Sequence, residues 1–455
     1  MTETVALAPA EPTPSAPART RIYGIDLARS LALMGMIAAH FAVADSFVFN
    51  KPETWGALAH GRSSILFATL AGVSLAIMSG RTERLSGQAL VDARLRILVR
   101  ALVIFAIGSL LIALNSGIAV ILQMYAVLFI VALPFLAARR RTLVIAAAIM
   151  AVVGPLIVAV LESLPFFKTT VSFPAAEIFI SGTYPLFSWV SFILIGLAVG
   201  RTNLASLKNV LIIGAIGIGM MTAGYATVPL FSQATPEAVD IEEETYSSSE
   251  YEDIEDTEDT TETYDTPNPA DLQPGEFFVN GEPTTALDLE GLDCYDETYE
   301  GNRNIGCSSI TVSEDETFDD GTGTPDFWAT FNNHLSEFGT ADPHSGTPNE
   351  IVGSGGVALL VIALCILLCR RIHIIFWPLL AMGSMSLSVY ALHVITFRLV
   401  ERTSLFTFES FAWDLWLGTI ILAIIMATIF RLTTKKGPLE MLVNWIVKRT
   451  TTARD

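Results

Sequence analysis

The chain has 455 residues, of which 52% are hydrophobic and only 16% charged, with a mean hydropathy of +0.52. A soluble protein of this length is excluded by that balance, because the chain needs lipid as its solvent. The formal charge of −19 divides sharply: residues 233–350 hold 32 of the 46 acidic residues and one base, Arg303, whereas the rest carries 26 basic against 14 acidic residues. A basic membrane body with one acidic excursion is the pattern that charge rules for membrane topology produce. No internal repeat, zinc cluster, phosphate-binding glycine loop or nucleic-acid signature is found, so those classes fall away.

In chain order, residues 1–20 are rich in Ala, Pro, Thr and Ser and lack the order of a signal peptide. They are expected to be a disordered cytoplasmic tail. Apolar stretches able to cross about 30 Å of hydrocarbon follow, near 23–46, 63–80, 97–115, 118–138, 142–163, 182–200, 207–228, 353–369, 374–397 and 412–431. The expected fold is therefore all-α and polytopic, with about ten transmembrane helices: spans 1–7 within 21–232, spans 8–10 within 351–436, and a cytoplasmic segment over 437–455. With both termini cytoplasmic, the bases divide 21 inside against 6 outside, the bias that sets orientation. The acidic insert 233–350, between spans 7 and 8, is then extracytoplasmic.

Within the insert, 241–265 is low-complexity and poor in aliphatic side chains, so it cannot offset chain entropy by burial. Residues 273–340 hold enough aromatic and aliphatic side chains for a small β-containing fold, and Cys294 and Cys307 are a candidate disulfide in an oxidising compartment. The acidic clusters match no recognised calcium loop, so solvated charge is preferred over Ca²⁺ binding, and no metal site is assigned. Cys365 and Cys369 read as helix packing.

Chemistry concentrates in the first span. Arg29 and His40 are both costly in lipid, so they are expected to face the bundle interior. Eleven residues advance a helix by about 16 Å and by about 20° beyond three turns, so both lie on one face at opposite depths. The plainer reading makes Arg29 an anchor paired with Asp26 and His40 a packing residue. Their combination favours a cation and a base along one groove.

An Arg, ten intervening residues and a His resemble the signature of the superfamily of membrane acyltransferases that acylate extracytoplasmic sugars. Other stretches resemble its bacterial YeiB-like branch, related to heparan-α-glucosaminide N-acetyltransferase. They are the run from His60-Gly61-Arg62 to Val73-Ser74, Leu122-Gln123-Met124-Tyr125, Gly182-Thr183-Tyr184-Pro185 with Trp189, and Gly200-Arg201. Pro343-His344-Ser345-Gly346-Thr347, the run from Ser386 to Tyr390 and His393, and Gly437-Pro438-Leu439-Glu440 complete the set. The resemblance covers nearly all the spans and leaves out 235–335.

This resemblance implies transfer of an acyl group, acetyl above all, from cytoplasmic acyl-CoA to an extracytoplasmic saccharide or glycolipid. Arg29, steadied by Asp26 and helped by Arg94, Arg96 or Arg100, would meet the donor's phosphates. His40, with His393 second, would act as base or as covalent acyl carrier. His60, Arg62 and His344 are candidate acceptor contacts, and Gln123 or Tyr390 a donor to the developing oxyanion. Expected partners are membrane lipids, the acceptor and, in a homo-oligomer, further copies of the chain. The rival readings are a transporter or flippase, because intramembrane Arg and His also suit transport pathways, and a scaffold acting through its insert.

Overall fold

The computed structural model describes residues 21–41, 50–164, 183–227, 277–279, 282–284, 292–299, 302–309, 327–403 and 408–451. The expected tail and the low-complexity stretch 241–265 lie outside them. The chain divides into two compact units, one formed by Met1–Pro236 with Asp326–Asp455 and the other by Glu237–Pro325.

The first unit is helical. Its elements are α1 (Tyr23–Phe41), α2 (Arg62–Met78), α3 (Gly87–Ile112), α4 (Leu122–Ala132), α5 (Arg140–Ser163), α6 (Leu186–Gly200) and α7 (Leu207–Ala226). After the insert come α8 (Phe327–Glu337), α9 (Pro348–Ile372), α10 (Trp377–Ser384), α11 (Ser386–Thr403), α12 (Phe408–Thr433) and α13 (Pro438–Thr451). Among the described residues, α3, α5, α7, α9 and residues 414–433 of α12 are long and apolar enough to cross a membrane.

The expectation of ten straight spans is met only in part. The stretch 374–397 is broken into α10 and α11, which meet at 85° and make a sixth span if taken together. Apolar α2, α4 and α6 have only 17, 11 and 15 residues; the longest, α2, measures about 26 Å at 1.5 Å per residue. The stretch 118–138 stops as an α-helix at Ala132, where Pro134 opens a 3₁₀ turn. Of the expected spans, α1 carries Asp26 and Arg29 and is largely buried among its neighbours. Length and hydropathy detect a helix facing lipid; they underrate one surrounded by protein.

Small residues let these helices approach closely. A Cβ added to Gly196 on α6 would collide with the Thr69 carbonyl on α2, one on Gly72 would strike the Ile193 carbonyl, and one on Gly200 would meet Ala76. Glycines four apart on α6 thus seat it against α2, the small-residue packing that replaces hydrophobic driving force in lipid. Gly196→Ala is expected to cost about 1–3 kcal/mol through overpacking against backbone. A thermal unfolding midpoint in detergent equal to that of the unmodified protein would contradict this.

One helix start is built by side chains the sequence advertises. Thr347 accepts from the Glu350 N–H at 3.2 Å, and Pro348 fills the first helical position of α9. In the same unit, His334 of α8 lies 3.4 Å from Glu162 of α5.

The second unit contains two antiparallel hairpins, β1 (Phe277–Val279) with β2 (Glu282–Thr284) and β3 (Leu292–Tyr299) with β4 (Asn302–Ser309). The β3–β4 register makes Cys294 and Cys307 direct cross-strand partners. Their side chains, and with them the disulfide, lie outside the described residues.

Candidate active site

Arg29 projects from α1 and is held at two points: one Nη donates to Asp26 at 3.0 Å and the other to Ser74 Oγ of α2 at 2.8 Å. Asp26 also accepts from Arg21 Nε at 2.7 Å. Arg29 thereby lines a cavity of about 350 Å³ together with Arg100, Asn444, Glu440 and Tyr390. Its apolar wall includes Phe67, Leu70 and Phe129. Arg100 donates to Asn444 at 3.0 Å, so α3 and the C-terminal α13 share this chamber.

Glu440 has a structural task there. It accepts from the backbone N–H groups of Leu387 and Ser388 at 2.8 and 3.2 Å and from Ser388 Oγ at 2.5 Å. It therefore caps the start of α11 from another helix, at the end where a carboxylate meets the positive pole of the helix dipole. That fixes the helix carrying Tyr390 and His393.

At the other end of α1, His40 Nδ1 lies 3.2 Å from His393 Nε2, and the two rings stack with centroids 5.3 Å apart. His393 is only 1% exposed and rests edge-on against Tyr390 at 4.7 Å. His40 faces a second cavity of about 250 Å³ lined also by His60, His344, Tyr184, Ser64 and Tyr390. His344 meets His60 at 5.6 Å and Tyr184 at 5.3 Å, both edge-on. Burial and the neighbouring His60 push the His344 imidazole down to about 4, so this loop residue is neutral at physiological pH.

The loop presenting His344 is organised by a buried carboxylate. Glu350 accepts from the His344 N–H and the Gly346 N–H, each at 2.7 Å. His344 and Gly346 have φ of 68° and 66°, a left-handed turn that this pair of bonds pays for.

The two cavities have one lining residue in common, Tyr390. Its hydroxyl accepts from the Ile121 N–H at 3.2 Å. Beside it, Tyr125, which lines the arginine chamber, donates to the carbonyl of Ser64, which lines the histidine chamber, at 3.0 Å. The single groove expected from α1 is thus two chambers set back to back on a tyrosine partition.

Several nominated residues sit elsewhere. Arg94 donates to the Leu133 carbonyl at 3.2 Å, Arg96 is exposed, and neither lines these chambers. Arg62 donates to Tyr225 Oη at 2.8 Å and to the Ala57 carbonyl, tying α2 to α7. Gln123 donates to Ser109 Oγ at 2.8 Å and joins α4 to α3 without reaching either chamber. His393 stands behind His40 and is absent from the lining of the histidine chamber. Sequence reasoning left Ser74, Asn444, Tyr184, Glu350 and Glu440 without roles. Four of them stand in or beside quoted motifs, but their partners are distant in the chain.

Residues 21–224 match the family described as heparan-alpha-glucosaminide N-acetyltransferase, catalytic, which takes in Arg29, His40, α1–α6 and most of α7. Residues 328–450 match a family described as a protein of unknown function, DUF418, which takes in His344, His393 and Glu440. Over these two segments the chain is similar to the YeiB-like, heparan-α-glucosaminide N-acetyltransferase-related branch of the membrane acyltransferases. No curated protein and no solved structure matches it. The two matches divide each chamber between them, because the α1 residues fall in the first and their α11 and α13 neighbours in the second. It is a membrane protein whose residues 21–224 match an acetyltransferase-type family.

Proposed function

We propose that the protein transfers an acyl group, acetyl in the first place, from cytoplasmic acyl-CoA to a saccharide or glycolipid outside the membrane. The observation that carries this reading is the pair of chambers meeting at Tyr390, one with Arg29 and Arg100, the other with His40, His60 and His344. A charged donor and a neutral hydroxyl or amine acceptor need opposite surroundings yet must bring their reacting atoms together, and that pairing of cavities serves both. The charge bias of the connecting segments orients the arginine chamber and both termini toward the cytoplasm, with the insert and the histidine chamber outside.

In direct transfer, His40 is the base. Its Nδ1 faces His393 Nε2, so a lone pair on Nε2 requires that Nδ1 carry the proton and donate it to His393. His393 is then a positioning residue that fixes the tautomer. Nε2 takes the proton of the acceptor hydroxyl or amine as that atom attacks the thioester carbonyl carbon. The carbon–sulfur bond breaks, and the CoA thiolate leaves with the proton that His40 returns. Tyr390, at the junction, donates its hydroxyl hydrogen toward the carbonyl oxygen as negative charge builds there.

The test uses membranes containing the full chain. Label is expected to move from acetyl-CoA to a saccharide acceptor, and CoA is expected to raise the unfolding temperature of the purified protein. A protein that shows neither effect and carries a substrate across vesicles without consuming thioester is a transporter.

A further inference from the structure

The C-terminal helix α13 has 14 residues, among them Glu440, Lys448 and Arg449, too few and too polar to cross a membrane. At about 100° per residue its positions fall on two opposite faces. One carries Glu440, Val443, Asn444 and Val447: the valines are buried, and Glu440, Val443 and Asn444 line the arginine chamber. The other carries Leu442, Trp445 and Arg449, with Leu442 43% and Trp445 54% exposed. The Arg449 guanidinium stands 4.7 Å from the Trp445 ring centroid, a cation–π pair next to Lys448 in the last turn.

This apolar stripe has a fixed direction. α12 ends where the Thr434 and Lys435 N–H groups both donate to the Phe430 carbonyl, at 2.9 and 2.8 Å, and Lys435 has φ of 64°, a left-handed cap that stops the span. Buried Gly437 then lies so close to Ser388 and Glu440 that a Cβ there would collide with both side chains. The Leu439 N–H donates to Ser388 Oγ at 3.1 Å. The start of α13 is thereby pinned to α11, and its middle is tied to α3 by the bond from Arg100 to Asn444. Held at two points, the helix cannot roll Leu442 and Trp445 inward.

Only residues 434–437 separate α13 from α12, at most about 14 Å of chain. The last turns of α12 expose Ile425, Ile429 and Leu432, as a lipid-facing span does, so α13 starts near the membrane surface. A short helix there, with Leu and Trp on one face and Lys and Arg at its end, has the make-up of helices that lie in the plane of the interface. Charge points to the same occupant. Residues 431–451 hold five bases, Arg431, Lys435, Lys436, Lys448 and Arg449, against one acid, Glu440, and that acid is engaged by amides of α11. A second copy seated symmetrically on the stripe would bring an equally positive surface against it, whereas an anionic lipid surface complements it.

We propose that α13 lies in the interfacial plane of the membrane, with Leu442 and Trp445 seated at the boundary of headgroups and acyl chains and Lys448 and Arg449 on the phosphates of anionic phospholipids. The helix then bridges the leaflet and the arginine chamber, whose wall its opposite face forms. Each base near an anionic surface adds about fivefold to the affinity for it, and salt weakens that gain. On the orientation read from the charge bias, this end of α12 is cytoplasmic, the side where anionic lipids lie.

The test places the full-length protein in nanodiscs of phosphatidylcholine, with or without phosphatidylglycerol; both faces have one composition, so the result is independent of sidedness. Leu442→Cys carries an environment-sensitive fluorophore, and the chain without that substitution supplies the background from native cysteines. Trp445→Cys gives the same reading if Leu442→Cys does not fold. The label is expected to be quenched by spin-labelled lipid and shielded from aqueous iodide, and phosphatidylglycerol should deepen both effects. Adding Lys448→Gln and Arg449→Gln, or raising the salt, should abolish the phosphatidylglycerol-dependent part and leave the quenching seen in phosphatidylcholine. Iodide access comparable to that of the free fluorophore puts the stripe in water and overturns the proposal. Shielding from both quenchers means that protein, a second copy or another segment of the chain, covers the stripe, and overturns it as well. Lipid quenching indifferent to phosphatidylglycerol and to salt overturns the assignment of anionic headgroups.

Discussion

His40→Ala is expected to lower acetyl transfer by about 10²–10⁴-fold, the range that removal of a general base produces, while the protein remains folded and binds CoA as before. The separation follows from the architecture. His40 lines the histidine chamber and is absent from the arginine chamber, so its loss removes proton transfer without disturbing the donor's cations. His393→Ala should reduce the rate by less, and His393→Gln should restore part of that loss, because a side-chain amide oxygen can accept the Nδ1 proton that fixes the His40 tautomer. The measurement is initial rate at saturating acetyl-CoA, with equal membrane expression checked by immunoblot. Unaltered turnover in His40→Ala removes this residue from the chemistry.

Glu350→Ala is expected to be the most destabilising of the polar substitutions considered. The side chain is 2% exposed and accepts two backbone N–H groups at 2.7 Å, with Ser345 Oγ at 3.4 Å. Without it, two donors in a left-handed loop lose their partner and stay away from water, at about 1–3 kcal/mol each. A loss of about 3 kcal/mol or more should lower the unfolding midpoint in detergent by several degrees. Glu350→Gln retains one acceptor oxygen and should fall between. The same loop carries His344, so acceptor saturation should suffer with stability; a Glu350→Ala protein that melts with the wild type would show that the loop is held by other means.

Much of the fold was readable because lipid imposes a strong rule on composition. A stretch of some twenty apolar residues has few alternatives to a helix, and helices occupy each of the expected stretches. The breaks were less readable. Met385 lies between α10 and α11 within the expected span 374–397, and the Glu440 carboxylate, arriving from α13, accepts from the Leu387 and Ser388 amides at the new helix start. Short α4 and polar α1 escape the hydropathy rule for a related reason, since their neighbours, and not lipid, are their solvent. The sequence paired Cys294 with Cys307 only as a candidate disulfide; that the two are cross-strand partners came with the β3–β4 hairpin.

The sequence by itself determined the membrane setting, the helical class, and the placing of Arg29 and His40 on one face of one helix, because charge bias and helical periodicity act locally along the chain. It also drew attention to His344, Tyr390 and His393 through the company they keep. Tertiary structure alone decided which cations share a chamber, since Arg94 and Arg96 lie on the same helix as Arg100 but point elsewhere. It decided as well that the two ends of α1 open on separate chambers divided by Tyr390. The physical reason is range: propensity and hydropathy are sums over neighbours in sequence, whereas a cavity is enclosed by side chains whose partners stand hundreds of residues apart, as His40 and His393 do.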